Sequence, residues 1–309
     1  MEYPELTVAS VFCSGGIGMT GYVDAGFTPV YAADLEKQPL EIFDANFRYS
    51  NGASVTHQEN AELLIGSAIR QAVRKLTGSD TIHLLEQGPS CHDYTGLQLR
   101  GDFGRRTLML DALRLIEEVQ PMVAVIEEVP KFLLPKHKDV SDEYFARLKK
   151  MNYRSAYRIM NTVHYESNQS RERYVHIFVH NELGIDPIFP EPILGKEKRV
   201  KDFLDVDHFF SGHFSDKIKT KNHFMCTVTS GSPEWFAKGG IKWEPTDDEL
   251  KLCMDLDPKK YKSASTKTAM KQAVGNGIPA KLTYHIGKTI IDQILRLEQK
   301  HDGTWVGKK

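Results

Sequence analysis

The chain has 309 residues, of which 40% are apolar and 26% charged, a composition typical of a folded globular protein and not of a disordered one. Forty basic and 41 acidic side chains give a formal net charge of −1, which excludes a uniformly basic nucleic-acid-binding protein but allows a local basic surface. No apolar run approaches the ~18 residues of a membrane span, and no secretory signal is visible, so we expect a cytoplasmic protein. The four cysteines are widely separated, which predicts neither a disulfide framework nor a metal site.

The first 34 residues predict a strand, a glycine-rich turn, a helix and a second strand. Leu6 to Phe12 is the first strand, and residues 14–18 form the turn. The second strand covers residues 28–33 and ends at Asp34.

The same alternation continues along the chain. Helices are predicted over residues 37–47 and 108–119, and strands over residues 81–85 and 122–126. The last of these strands is apolar throughout, which is typical of a strand buried on both faces. Strands that alternate with helices predict an α/β fold, with a mostly parallel, Rossmann-like sheet and helices on both of its faces.

Regular patterning stops near residue 180 and returns at Pro279. We therefore expect a core over residues 1–190, a small lobe over residues 191–245 and a segment over residues 246–309 that returns to the core. Residues 195–271 carry 15 basic and 12 acidic side chains, so the region around the lobe is weakly basic. A C-terminal helix is predicted with one apolar face, formed by Leu282, Ile286, Ile290, Ile294 and Leu297.

The turn Gly16-Ile17-Gly18-Met19-Thr20-Gly21 fits the G-x-G-x-x-G pattern between a strand and a helix. Asp34 follows Gly16 by 18 residues, near the position at which an acid accepts hydrogen bonds from a ribose. Glycines in such a turn let the backbone approach a ligand closely. The pattern predicts an adenosine-containing cofactor, but it does not separate a nicotinamide dinucleotide from S-adenosylmethionine.

Four further motifs follow in a fixed order: Gly88-Pro89-Ser90-Cys91, Glu127-Glu128-Val129, Gln169-Ser170-Arg171-Glu172-Arg173 and Gly275-Asn276-Gly277-Ile278-Pro279. With the glycine turn, they make the chain resemble the cytosine-C5 DNA methyltransferase family, which has F-x-G-x-G-G, P-C, E-N-V, Q-x-R-x-R and G-N-x-V-P motifs. The resemblance covers about residues 6–295, apart from the small lobe. It implies the fold of S-adenosylmethionine-dependent methyltransferases with an added target-recognition lobe.

The resemblance implies catalytic roles for Cys91, Glu127, Arg171 and Arg173. The Cys91 thiolate would add to C6 of cytosine and thereby make C5 a nucleophile. Glu127 would protonate or hydrogen-bond the ring nitrogen beside the exocyclic amine. One arginine would bind the cytosine carbonyl oxygen and orient Glu127, and the other would support a phosphate or the backbone.

The resemblance also implies S-adenosyl-L-methionine in the pocket of the glycine turn. Phe12 would stack near the adenine, Asp34 would bind the ribose and Leu35 would pack on the adenine. The other residues expected at the cofactor are Ser14, Gly16, Gly88 and Asn276.

Double-stranded DNA is the implied partner, with the target cytosine flipped out of the helix into the pocket. Lys217, Lys219 and Lys221 alternate along the lobe, so on a strand they would line one face and meet phosphates. Only about 35–45 residues remain to read bases, judged from where periodicity stops, which predicts a short recognition site.

The chain departs from the family at several positions. Ser10 replaces an aspartate, Ser90 a second proline, His92 a glutamine and Glu128 an asparagine. Glu128 either raises the pKa of Glu127, which suits a proton carrier, or opposes thiolate formation at Cys91, and the sequence leaves both open.

These observations predict a monomeric DNA cytosine-C5 methyltransferase that protects bacterial or phage DNA, with a cognate restriction endonuclease as a possible partner. A tRNA cytosine-C5 methyltransferase and a catalytically silent nucleic-acid-binding homologue are the alternatives. A nicotinamide-dependent oxidoreductase would leave the four later motifs without a role.

Overall fold

A computed structural model of the chain describes residues 2–90, 94, 107–211, 215–263, 266–300 and 302–307, and for Glu2 and residues 215–217 the backbone alone. In chain order the strands are β1 (Glu2–Tyr3), β2 (Leu6–Val11), β3 (Phe27–Asp34), β4 (Thr56–Gln58), β5 (Leu84–Gln87), β6 (Val123–Glu128), β7 (Tyr153–Asn161), β8 (Glu172–His180), β9 (His208–Ser211), β10 (Ser215–Thr220), β11 (Trp235–Lys238), β12 (Ile241–Trp243), β13 (Leu297–Gln299) and β14 (Trp305–Gly307). The α-helices of the described residues are α1 (Ile17–Ala25), α2 (Lys37–Asn46), α3 (Gly66–Thr77), α4 (Leu108–Val119), α5 (Lys138–Leu148), α6 (Asp247–Cys253), α7 (Lys267–Asn276) and α8 (Ala280–Thr289).

A seven-stranded sheet in the order β4-β3-β2-β5-β6-β8-β7 forms the centre of the molecule. The five strands from β4 to β6 are parallel, whereas β8 runs antiparallel to both β6 and β7. The carboxyl ends of the five parallel strands therefore lie at the same edge of the sheet as the amino end of β8. This edge brings together segments that are far apart in the sequence.

Both faces of this sheet are buried. Side chains of α1, α2, α7 and α8 pack with one face in a single apolar cluster that includes Ile17, Phe43, Met270 and Ile286. A second cluster, with side chains from α3, α4 and α5, covers the other face. The prediction of a mostly parallel α/β sheet with helices on both faces is confirmed.

Two predicted elements have different bounds. The strand predicted over residues 81–85 is β5 (Leu84–Gln87), which continues to Gln87 because its two polar residues both have hydrogen-bond partners. The Ser10 hydroxyl donates to Glu86, and Gln87 Nε2 donates to the Ala112 carbonyl at 2.9 Å. The C-terminal helix ends sooner than predicted, since a π-helical turn follows α8 over Ile290–Ile294. Leu297 is buried as expected, but it begins β13 and does not belong to the helix.

Two smaller sheets lie outside the central one. Strands β10-β9-β11-β12 form a four-stranded antiparallel sheet within residues 208–243, which we call the lobe sheet. Strands β1-β14-β13 join the two ends of the described chain. No helix in the described ranges is long and apolar enough to span a membrane.

Candidate active site

A cavity of about 520 Å³ opens at the carboxyl edge of the parallel strands. Its volume is within the range of about 300–1,000 Å³ typical of small-molecule sites. The structure brings nine of the predicted site residues to its wall: Phe12, Ser14, Asp34, Leu35, Gly88, Glu127, Arg171, Arg173 and Asn276. Cys91 lies outside the described residues, but its neighbour Ser90 also lines the cavity.

The turn after β2 holds Asp34 in a fixed position. Phe12 and Ser14 adopt left-handed backbone conformations, with φ of 61° and 45°, which non-glycine residues adopt at a cost. The backbone NH of Ser14 donates to Asp34 Oδ2 at 2.8 Å, and the NH of Glu36 donates to Oδ1 at 3.0 Å. Burial raises the pKa of the Asp34 carboxyl, while these two hydrogen bonds oppose that rise.

Gly16 has a packing role that the motif alone does not reveal. It caps α1 with φ 76°, and a Cβ placed there would lie 2.6 Å from Phe43 Cδ2. Gly16 is absent from the residues that line the cavity. The glycine therefore allows α1 and α2 to approach, and the predicted contact of Gly16 with the cofactor has no support in this geometry.

Sequence reasoning missed Glu59 and Asn60, which follow β4 and line the same cavity. Tyr31 donates its hydroxyl to Glu59 Oε2 at 3.2 Å, so the glutamate is held against the sheet. The strand before them has only three residues and is polar, which leaves little periodicity to detect. Their position after the next parallel strand is the feature that could have indicated them.

Glu127 and Arg173 form an ion pair at the cavity wall, between the Glu127 Oε1 and the Arg173 Nε. Their side chains are only 17% and 8% exposed. The antiparallel pairing sets Glu127 opposite Val175, so Arg173, two residues earlier, lies on the same face of the sheet as Glu127. Arg173 also donates Nη1 to the Glu172 carbonyl at 2.8 Å. Arg173 is thus the arginine that orients Glu127.

Arg171 performs a different task. It lies immediately before β8, which begins at Glu172. Its guanidinium donates hydrogen bonds to the carbonyls of Val228 and Gly275, each at 3.0 Å. Val228 lies in the connection between β10 and β11 of the lobe sheet, and Gly275 is in the last turn of α7. A Cβ at Gly275 would lie 2.5 Å from the Ser230 nitrogen, so the glycine is required where these two segments meet.

Gln169 supports the same junction, a role that the sequence did not indicate. It accepts from the Val228 NH at 3.1 Å through Oε1 and donates to the Cys253 carbonyl at 2.8 Å through Nε2. Its side chain is fully buried. Gln169 and Arg171 therefore fasten the β10–β11 connection and the C-terminal segment to the core, while Arg173 contacts Glu127 at the cavity.

Two more carboxyl groups lie near Glu127: that of Glu86 is half-buried and that of Glu128 is buried. Burial raises the pKa of Glu86 to about 7, although the hydrogen bond from Ser10 opposes this. Burial also raises the pKa of Glu128 well above its ordinary value, and the charge of Glu127 adds to that rise. This chain has Ser10 where the family has an aspartate, and the carboxyl group next to that position is supplied by Glu86 on the neighbouring strand β5.

The described cysteines show which thiols are poor nucleophiles. Burial raises the pKa of both Cys13 and Cys253 well above the ordinary value, so neither forms an appreciable thiolate at neutral pH. Cys226 is half-buried. Cys13 lies between Phe12 and Ser14, which both line the cavity, but the Cys13 side chain is itself buried.

The three predicted lysines do not share one face of a strand. Lys221 lies beyond the end of β10 and pairs with Asp207 at 3.0 Å. Lys219 stands opposite the buried Phe209, and the register shifts between Ser215 and Lys219. The Lys217 side chain is outside the described ones. Lys221 therefore lies outside the strand on which the alternation would align it with Lys219, and the placement of Lys217 stays a prediction.

The sheet order and a ligand-sized cavity at the carboxyl edge define the class of protein: the fold is that of S-adenosylmethionine-dependent methyltransferases. A prophage-encoded DNA modification methyltransferase of E. coli superposes with a TM-score of 0.73 and 18% identity, over 94% of this chain and 99% of that one.

The profile of the C-5 cytosine-specific DNA methylase family matches residues 6–242, and the chain belongs to this family. It is similar to the type II methyltransferase M.AgeI of Thalassovita gelatinovora, with 24% identity over 96% of this chain and 63% of that protein. It is also similar to M.NgoMIV of Neisseria gonorrhoeae, with 29% identity over 66% of this chain and 60% of that protein. The chain thus spans less than two thirds of the length of either relative.

Proposed function

We propose that this protein is a DNA cytosine-C5 methyltransferase that takes its methyl group from S-adenosylmethionine and uses Cys91 as a covalent nucleophile. The observation that carries this proposal is the meeting of nine motif residues, from six separate segments, at one cavity. Family membership supports the same reaction.

The cavity has the features that S-adenosylmethionine requires. Asp34 presents a fixed carboxylate for the ribose, and Phe12 and Leu35 supply apolar surface for the adenine. Leu35 is 53% exposed and lines the cavity, so its side chain is accessible to a ligand there. When bound, the cofactor supplies an electrophilic methyl group on a sulfonium.

The protein's own residues would prepare the base. Addition of the Cys91 thiolate to C6 forms a carbon–sulfur bond and moves electron density to C5, which becomes the nucleophile. Glu127, held by Arg173, would donate a proton or hydrogen bond to the adjacent ring nitrogen and so accept the charge that develops there. After methylation, loss of the C5 proton and departure of the thiolate restore the aromatic ring.

Double-stranded DNA is the proposed substrate, and the region of residues 191–245, which contains the lobe sheet, is the proposed target-recognition part. The relatives are named type II methyltransferases, which supports a role in restriction–modification or in protection of phage DNA, in the bacterial cytoplasm. A cognate endonuclease would then share the recognition sequence. We further propose that the chain acts as a monomer, with residues 1–190 as the core and residues 246–309 returning to it.

The direct test is to incubate the protein with S-adenosylmethionine and mixed-sequence duplex DNA, digest the DNA to nucleosides and weigh them. We expect 5-methylcytosine with the wild type and with Cys226→Ser, and none with Cys91→Ser. Product on tRNA but not on DNA would establish the RNA alternative. Cofactor binding without product on either substrate would establish a silent homologue.

Calorimetry tests the cofactor separately. We expect S-adenosylmethionine to bind with higher affinity than NAD, and Asp34→Asn to weaken this binding while leaving the fold intact. Tighter binding of NAD would refute the methyltransferase proposal.

A further inference from the structure

Glu128 is an acidic residue in the wall of the cavity that the reaction described above does not use. Its side chain is 1% exposed, and it lines the cavity beside Glu127. Its Oε1 accepts a hydrogen bond from the Val129 NH at 2.6 Å. Its Oε2 is fully shielded and has no hydrogen-bond partner among the described residues. A buried carboxylate with one unsatisfied oxygen is costly, whereas a neutral carboxylic acid in the same place is much less so.

The surroundings of Glu128 favour the neutral form. Its cross-strand neighbour is Tyr174, whose fully buried ring packs against Phe132. Glu127, on its own strand, is the nearest acid in sequence. The other charged groups that line the cavity are Arg171, Arg173, Asp34, Glu36, Glu59 and Glu62.

The two arginines of this wall are already engaged. Arg173 pairs with Glu127 and with the Glu172 carbonyl, and Arg171 binds the carbonyls of Val228 and Gly275. Glu128 and Arg173 line the same cavity as Glu127, so a negative charge on Glu128 would repel the Glu127 carboxylate and attract the Arg173 guanidinium, and would disturb their ion pair.

We propose that Glu128 is a positioning residue that acts as a neutral carboxylic acid: while it is protonated, it places no second negative charge beside the Glu127–Arg173 pair, and its ionisation weakens that pair. The effect on catalysis rests on the proposed function, but the protonation state of Glu128 does not.

This assignment explains how Glu128 can occupy a position at which the family has an asparagine. A protonated carboxyl and a carboxamide are both planar and uncharged, and each offers one acceptor oxygen and a hydrogen-bond donor. Burial and the charge of Glu127 both raise the pKa of Glu128, in agreement with the geometry. Glu128 then adds no negative charge near the Cys91-bearing loop, which removes the conflict that its sequence position suggested.

The protonation state can be measured without activity. Infrared difference spectra of wild type minus Glu128→Gln, recorded at pH 7 and at rising pH, isolate the carbonyl stretch of a protonated Glu128. Glu86→Gln is the matched control, because it removes another carboxyl group near Glu127 whose pKa is also raised. We expect a protonated-acid band at pH 7 that is absent in Glu128→Gln and retained in Glu86→Gln. A carboxylate band in its place would overturn the proposal.

The positioning role is tested by methyl transfer under single-turnover conditions. We expect Glu128→Gln to stay within about threefold of the wild-type rate at pH 7, since it keeps the neutral shape. At any pH where the wild-type acid band disappears, the wild-type rate should fall, by about tenfold per pH unit above that point, relative to Glu128→Gln. The positioning role would be contradicted if Glu128→Gln lost as much rate as Glu127→Gln. It would also be contradicted if the acid band of the wild type disappeared with rising pH while the rate stayed the same. An inactive wild type with an intact acid band would instead refute the proposed function.

Discussion

The cavity edge and the lobe sheet hold their polar side chains in different ways. At the cavity, Gln169, Arg171 and Arg173 are nine-tenths buried or more, and each binds a group from another segment. In and around the lobe sheet, Lys221 pairs with Asp207 and Lys238 with Asp205 through largely exposed side chains. Buried pairs of this kind are costly to break, whereas exposed pairs contribute little to stability.

Under the proposed function, this difference separates the chemistry at the cavity from the choice of target at the lobe. A change at the cavity disturbs several segments at once, while a change on the lobe sheet affects one exposed contact. The outer face of the lobe sheet carries Phe210 stacked on Trp235, with ring centroids 5.6 Å apart, and Lys242 Nζ 4.2 Å from the Trp235 ring. Such a surface can be replaced without disturbing the catalytic wall. The predictions below examine the two regions in order of expected effect.

The largest effect is expected for Glu127→Gln. The variant keeps the size of the side chain but cannot carry a proton, so the rate of methyl transfer should fall by about 10²–10⁴-fold. Binding of S-adenosylmethionine, measured by calorimetry, should change little. Glu128→Gln is the matched control on the adjacent residue. Equal rates for the two variants would contradict the assignment of proton transfer to Glu127 alone.

Arg171→Lys should reduce stability more than chemistry. Lysine retains the charge but cannot reach both carbonyls with a planar fork, so we expect a loss of about 3 kcal/mol in the free energy of unfolding. Urea denaturation measures this loss, and Arg158→Lys on the exposed part of β7 is the control. Unfolding at the wild-type midpoint would show that Arg171 does not fasten the β10–β11 connection.

Glu86→Gln should change how stability depends on pH. Folding raises the pKa of Glu86 from 4.5 to about 7, so the folded protein retains a proton that the unfolded chain releases between these values. Stability therefore falls as pH rises through this window, by up to roughly 3 kcal/mol for a shift of this size. The glutamine still accepts from Ser10 and does not ionise. The variant should match the wild type near pH 4.5 and have a higher Tm at pH 8, and parallel Tm profiles would contradict this.

The smallest effect on the fold is expected for Lys242→Ala. Its side chain is exposed, so we expect the free energy of unfolding to change by less than about 0.5 kcal/mol. If the outer face of the lobe sheet meets DNA, loss of one phosphate contact should reduce the salt dependence of log Kd by about one unit. Lys288→Ala on α8 is the control. A large change in Tm, or an unchanged salt slope, would weaken the comparison between the two regions.

Much of the catalytic core is predictable from the sequence because buried parallel strands are continuous apolar runs and the motifs follow strand ends. Asp34, Glu127 and Arg173 all lie where this reasoning places them. Gln169 and the pairing of Ser10 with Glu86 are not predictable in this way, because each depends on which distant segment lies beside it. On the lobe, the alternation of Lys219 and Lys221 misleads, because β10 ends at Thr220 and Lys221 lies beyond it.

The most direct test of the central claim is covalent trapping on duplex DNA that contains 5-fluorocytosine, in the presence of S-adenosylmethionine. Fluorine at C5 cannot leave as a proton does, so the adduct of the nucleophile with the base persists. We predict a denaturation-resistant complex whose peptide map places the base on Cys91, with no complex for Cys91→Ser. A complex attached at another residue, or none with a protein that binds both DNA and cofactor, would contradict the account.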